Sequence, residues 1–465
     1  MGRWAVWVAL MVACGEGGSP RSNDMAVSDG PRDAGAPDRG EVIDEWPDPC
    51  AGVSGVVEVV GDITEDTTWC ASAVYRLEST VVVGSGDAAE PAVLTIRPGT
   101  RIEGGTGPSR GAHLVIITTT GRIEAVGTAA EPIVMTSGNA PGTARPGDWG
   151  GLMLLGRAPI NAPSGMARID GFARTADVFY GGTDPAHDCG TLRYVRVEYV
   201  GLADTNANEL NVLTVAGCGT ATDIDYVQAH GGLDDGIEFY GGTVNATHLV
   251  VSSADDDGLD TDQGYVGTIQ FMIVQAANTN HGFEMDNYEG QPDLTPQSNP
   301  KVWNFTILGF GEDDTSGVEL AEGTGAELRN GIIAGYSATE GIDADDRDQL
   351  AALDAGTVIV ENVVFAGNGT DIVNNDATTW DPTAAAANNQ FGVVGKLLTD
   401  PSNVTAPDFS PTGDVDLSGG QTPTGLPSDP DFDPGAAYIG AIEPQGRDWT
   451  AGWTSFPSLG PVASE

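Results

Sequence analysis

Basic residues are scarce. Lys and Arg number 20 against 67 Asp and Glu in 465 residues, a net charge of −47. Phosphate contacts need Lys and Arg, so a nucleic-acid binder is excluded. The field of that net charge disfavours anionic polysaccharide and anionic lipid unless a cation bridges them, whereas cationic partners and free cations are attracted. Five cysteines include no Cys-x-x-Cys pair and no Cys/His cluster, which argues against zinc or dithiol chemistry. Long helical periodicity is missing too. With 65 glycines, which are costly inside helices, a helical protein is excluded. Ser or Cys nucleophile arrangements and phosphate-cradling glycine loops are absent.

What the chain does have is an acidic phrase that returns. It reads Asp234-Asp235-Gly236-Ile237-Glu238, then Asp256-Asp257-Gly258-Leu259-Asp260, then Asn280-His281-Gly282-Phe283-Glu284. It comes back as Ser316-Gly317-Val318-Glu319 and Glu340-Gly341-Ile342-Asp343, with glycine spacings of 22, 24 and, in the last two, 24 residues. A unit this short cannot bury its own apolar face, so its copies must stack. Short stretches rich in Val, Ile, Leu and Thr, bounded by Gly, Pro, Asn or Asp, run from Val56–Ile63 to Val358–Phe365 and read as strands. Asp346–Leu353 is the one plausible short helix. The two-residue turns of an antiparallel meander are lacking. The expected fold is therefore all-β, a right-handed parallel β-helix of around ten rungs, a rod of about 50 Å.

The expected organisation is residues 1–13 as an export signal, 14–49 as a flexible tether, 50–365 as the β-helix and 366–465 as an irregular region that caps the last rung. Arg3 precedes an apolar run from Trp4 to Val12, too short for a membrane span. Met11-Val12-Ala13-Cys14 resembles a bacterial lipobox, which implies lipidation of Cys14 and a membrane anchor. Gly15 implies, by the rule for that class, sorting to the outer membrane. The tether is nearly devoid of apolar residues and cannot repay its ordering entropy. The remaining cysteines, Cys50, Cys70, Cys189 and Cys218, allow two disulfides in three pairings. Cys50–Cys70 and Cys189–Cys218 are favoured, because each spans roughly one rung. A monomer is expected.

Leu94–Thr100, Gly147–Leu152, Gly190–Glu198, Asn208–Asn211, Asp234–Gly242 and Trp449–Trp453 together resemble a family of exported bacterial proteins with a pectin-lyase-like β-helix. The resemblance covers most of the chain after Val53. It implies the fold and the exported class but carries no established activity.

Alternation along a strand turns Ile237, Leu259, Phe283, Val318 and Ile342 inward and Glu238, Asp260, Glu284, Glu319 and Asp343 outward. Carboxylates one rung apart lie about 5 Å from each other and raise one another's pKa. A divalent cation, backbone N–H donors or hydration must offset this. Asp234, Asp235, Asp255, Asp256, Asp257 and Asp262 thicken the cluster. Hard oxygen ligands at this density suit Ca²⁺, and Asp235, Glu238, Asp257, Asp260, Asp262 and Glu284 form the expected set. No EF-hand loop or Ca²⁺-binding nonapeptide is present, so density and stacking alone carry this expectation. The competing reading makes Asp-Asp-Gly a turn, its aspartates bonded to their own backbone and its glycine at positive φ.

Acid/base hydrolysis of a neutral glycan is the alternative function, with Asp257, Asp260 and Glu284 as catalytic candidates. Some β-helix glycosidases join clustered aspartates to a Gly-His-Gly loop and an Arg-x-Lys pair. Here Asn280-His281-Gly282 is superficially similar, but Lys301 stands alone. His230 and His281 read as hydrogen-bonded turn residues. Trp149, Tyr180, Tyr240, Tyr265 and Tyr288 read as packing residues ahead of sugar platforms. The reading preferred overall is a lipid-anchored, non-catalytic binding or structural module with a Ca²⁺-binding acidic face and a glycan or cationic surface partner.

Overall fold

The repeat period is one coil of a right-handed parallel β-helix. The computed structural model describes residues 48–84, 91–104, 113–140, 142–169, 178–201, 210–313, 315–374 and 377–460. The export signal, Cys14 and nearly all of the tether lie outside the described residues. Two long sheets carry the coils: a ten-stranded one running from Val81–Val83 to Thr370–Asn374, and a sixteen-stranded one beginning at Gly55–Val59. In both, each strand pairs in parallel with its counterpart one rung away.

The core is the inward face of these strands. Ile237, Leu259, Phe283, Val318 and Ile342 stack in register with no exposure. The glycine before each sits where the chain passes closest to the opposite sheet. A Cβ on Gly258 would lie 2.4 Å from Val274 Cγ1 and 2.5 Å from the Gly282 carbonyl oxygen, and one on Gly236 or Gly282 would lie 2.2 Å from Val251 or Ile307. None of Gly236, Gly258, Gly282, Gly317 and Gly341 has the positive φ that the turn reading required. Close packing, not a left-handed turn, demands glycine there.

Left-handed backbone occurs elsewhere in each rung. Strands such as Gly190–Glu198, Asp223–His230 and Asn245–Ser252 bend in the middle, at Tyr194, Tyr226 and His248, whose φ values are 50°, 54° and 52°. Phe271, Asn304, Asn330 and Asn362 continue this column with φ of 64°, 52°, 57° and 55°. A bulky residue at positive φ is strained, and stacking offsets the cost. Ring centroids of Tyr194–Tyr226, Tyr226–His248 and His248–Phe271 lie 4.3, 4.2 and 4.8 Å apart.

The only helix among the described residues is Leu350–Ala355, later than the expected Asp346–Leu353. Asp346 accepts the Asp348 N–H at 3.2 Å, which favours a turn ahead of the helix. Gly356, at φ 72°, ends it. The disulfides join Cys50 to Cys70 and Cys189 to Cys218, the pairing favoured by spacing.

The C-terminal region does more than cover the last rung. Residues near Trp380 and Asn389 lie on it: Trp380 Nε1 donates to Val358 O, and Asn389 Nδ2 to Val360 O. The chain then runs back along the flank toward earlier rungs. Asn330 bonds Gln421, Asn304 bonds Ala436 and Tyr438, and Gln270 bonds Asp433. Gln228 bonds Ser455, His230 bonds the Pro457 carbonyl, and Gly460 reaches Ala144. The tail is a strap fastened by side chains of the coil to its own main chain.

Gly258→Ala should lower stability by about 1–3 kcal/mol through overpacking, measured by chemical denaturation, while Gly419→Ala, at an exposed position with open space and no positive φ, should cost less. Equal losses at both sites would count against the close-packing account.

Candidate functional site

The outward face of the ten-stranded sheet changes character along its axis. One register column reads Val82, Ile116, Met153, Thr214, Glu238, Asp260, Glu284, Glu319, Asp343. Its apolar end joins Ile160, Val178 and Tyr180 in a second core outside the coil. The excursion that carries Tyr180 also reaches the acidic part: Tyr180 Oη donates to Gln263 at 2.9 Å, and Asn161 bonds Asn287. The expected outward carboxylates therefore face away from the core without facing open water. Glu238 is 4% exposed and Asp235 6%, while Asp260 and Glu284 are half-buried.

A second column explains part of the acidity. Asn211 Oδ1 accepts the Asp235 N–H (3.3 Å), Asp235 Oδ1 accepts the Asp257 N–H (3.0 Å), and Asp257 Oδ1 accepts the His281 N–H (2.7 Å). Each side chain satisfies the backbone of the next rung rather than its own, which corrects the turn reading. Asn211 was not singled out in the sequence. Its signal was present, since it stands two residues before Leu213 as Asp235 stands before Ile237.

His281 completes this column. Its Nδ1 lies 3.0 Å from Asp257 Oδ1 and its Nε2 2.8 Å from Glu319 Oε2. Burial opposes the charged ring, but the hydrogen bonds and charges of Asp257 and Glu319 outweigh it and push its pKa up to about 10. His281 is thus an imidazolium clamped between two carboxylates, a stronger role than a turn residue.

The six expected metal ligands fall into separate groups. Asp235, Glu238 and Asp260 offer oxygens that all lie within 4.8 Å of one another, as do ligand atoms of Asp257, His281 and Glu284; Asp234, Asp235 and Asp256 form a third such set. Asp262 is set apart. It pairs across the strands with Tyr240, its carboxylate accepts the Gln263 N–H, and burial raises its pKa to about 7.

The first group has the least compensated charge. Burial, then the charges of Glu238 and Asp257, raise the pKa of Asp235 well above the carboxylate range. Burial pushes Glu238 up to about 8 against the pull of hydrogen bonds from Asp260 and Tyr240. Burial and the Glu238 charge raise Asp260, whose Oδ1 is buried without a hydrogen-bond partner. Other carboxylates have cations: the buried Asp225 meets Arg193, the buried Glu198 meets Arg196, and the half-buried Glu327 pairs with Lys301. Three hard carboxylates and an orphaned oxygen fit a hard divalent cation. The second group fits less well, because its imidazolium already supplies the positive charge.

Of the catalytic candidates, Asp257 and Glu284 come together in the second group, while Asp260 lies in the first. Burial and a hydrogen bond donated to Asp257 push Glu284 up to about 11. Of the aromatic candidates, Trp149 and Tyr265 are wholly buried, donating to Glu198 O and Val244 O. Tyr180 lies in the outer core. His230 is also buried and bonds Ser252 and the strap.

Comparisons bear on the fold. No curated protein and no solved structure matches the chain. A family model described as a pectate-lyase-like beta helix domain matches residues 61–409, three quarters of the sequence and all of the acidic column. The chain belongs to the pectate-lyase-like β-helix domain family.

Proposed function

We propose that this protein is a non-catalytic, envelope-anchored binding module that takes up Ca²⁺ at Asp235, Glu238 and Asp260. The observation that carries the cation site is the convergence of two buried carboxylates and the half-buried Asp260 with no cationic side chain among the described residues to neutralise them. Three carboxylates offer six oxygens, of which Asp235 Oδ1 already accepts the Asp257 N–H and Glu238 Oε2 the Asn211 amide, so water completes the roughly six to eight ligands that Ca²⁺ takes. The anchor rests on the lipobox-like Met11–Cys14 and on the low-hydropathy tether. The bound cation bridges the coil to an anionic or hydroxyl-bearing glycan, which a surface this acidic would otherwise repel or leave unbound.

Calorimetric titration of chelator-treated protein with CaCl₂ tests the site. Saturable heat and a raised melting temperature are expected, with Asp260→Asn weakening binding about tenfold or more. The absence of both heat and thermal shift would sink the proposal. Release of new reducing ends from neutral or uronic polysaccharide, lost in Asp257→Asn, would instead favour hydrolysis.

The pH dependence follows from two shifts of the same sign. Glu238, raised from 4.5 to about 8, keeps its proton in the folded state. Its stabilising contribution is full below pH 4.5 and is lost as pH rises through 8. The His281 clamp, raised from 6.5 to about 10, is lost between those values. The melting temperature of the metal-free protein should therefore fall from about pH 5 to about pH 9. Glu238→Gln should flatten the lower part of that fall, and added Ca²⁺ should restore most at the alkaline end. A flat or rising profile in metal-free wild type would contradict this.

A further inference from the structure

A second register column lies under the strap on the sixteen-stranded sheet: Glu198, His230, Ser252, Gln275, Leu308, Ala334, Ala366. Its early members hold the strap. His230 Nε2 bonds the Pro457 carbonyl at 2.9 Å, and Gln275 Nε2 donates to the Pro401 carbonyl at 2.7 Å. Past Gln275 the column has no hydrogen-bonding side chain and shrinks from leucine to alanine. Gly309, Gly335 and Gly367 follow these three residues on successive rungs. The strap finds no side-chain partner in this column there and is held to the coil instead by the Val393 N–H on Phe365 O and by an apolar cluster that joins Leu397 and Leu398 to Leu308 and Ala366. The space between strap and coil is a groove of about 700 Å³, floored by Leu308, Ala334 and Ala366 and walled by Val393, Val394 and Leu397.

Its charge is as unusual as its shape. Among the described residues that line it, Lys396 alone is charged, in a chain where acidic residues outnumber basic ones 67 to 20. The chain has only two lysines, and the other, Lys301, is paired with Glu327. Val394 is 93% exposed at the groove, an apolar side chain left fully in water. A volume in the range of small-molecule sites, lined mostly by apolar side chains with one placed charge, defines the ligand class. Apolar walls bury a chain of methylenes, and the lysine meets an anionic head.

We infer that this groove binds a single-chain fatty carboxylate, its acyl chain lying along Leu308, Ala334 and Ala366 and its carboxylate paired with Lys396. This site is separate from the acidic column and does not depend on cation uptake there.

Titration of the full chain with dodecanoate below its micelle concentration, followed by calorimetry, tests the assignment. Saturable binding at one site is expected. Lys396→Glu should weaken dodecanoate binding about tenfold or more while leaving dodecanol binding unchanged. Val394→Asp should weaken both ligands, and Val60→Asp, another exposed apolar position (74%), should weaken neither. Both groove residues are exposed, so the fold tolerates these changes. Absence of saturable dodecanoate binding, or binding indifferent to Lys396→Glu and Val394→Asp, would overturn the inference.

Discussion

In-register stacking of parallel strands is the constraint on which everything else in this molecule depends. Once neighbouring rungs are locked about 4.8 Å apart, whatever one coil carries is set directly over its counterpart in the next. A pattern that is harmless in one copy becomes a column with its own energetics. For apolar residues the column is a core. For glycine it is a seam where two sheets approach. For carboxylates it is a line of like charges, each neighbouring pair costing on the order of 3 kcal/mol at an effective dielectric of about 20.

The chain offsets that cost in two different ways within a few rungs. Asp235 and Asp257 each spend an oxygen on a backbone N–H of the next coil, so part of their charge is structural. At Asp257 and Glu319 the clamp of His281 adds a positive centre. One rung earlier the described residues supply no such centre, and the charge of Glu238 and Asp260 is left to protons or to a cation. The acidic face is therefore not one uniform surface but a self-neutralised stretch beside an unsatisfied one.

The period of the fold was legible because it is written into glycine spacing. The inward residues followed from alternation, and the disulfide partners from their separation of about one rung. What could not be read was anything produced by the excursions. Ile160, Val178 and Tyr180 turn an outward face into a covered one, and no local pattern near Glu238 announces that cover. The left-handed column was hidden for a related reason. Tyr194, Tyr226 and His248 look like ordinary strand residues, and only stacking makes a positive φ tolerable there. The direction of the C-terminal strap is equally invisible in its own irregular sequence, because its partners lie on the coil.

That strap is gripped in a particular way. Gln228 donates to the carbonyl of Ser455 and accepts from its N–H; Gln270 does the same with Asp433, and Asn330 with Gln421. Each carboxamide engages both polar groups of a single residue, as a neighbouring strand would. Recognition falls on groups that every amino acid except proline possesses. The coil side of this contact is consequently fixed in identity, while a strap residue held only through its main chain, such as Ser455, tolerates exchanges that the buried Trp453, packed on Tyr194 and Tyr226, does not.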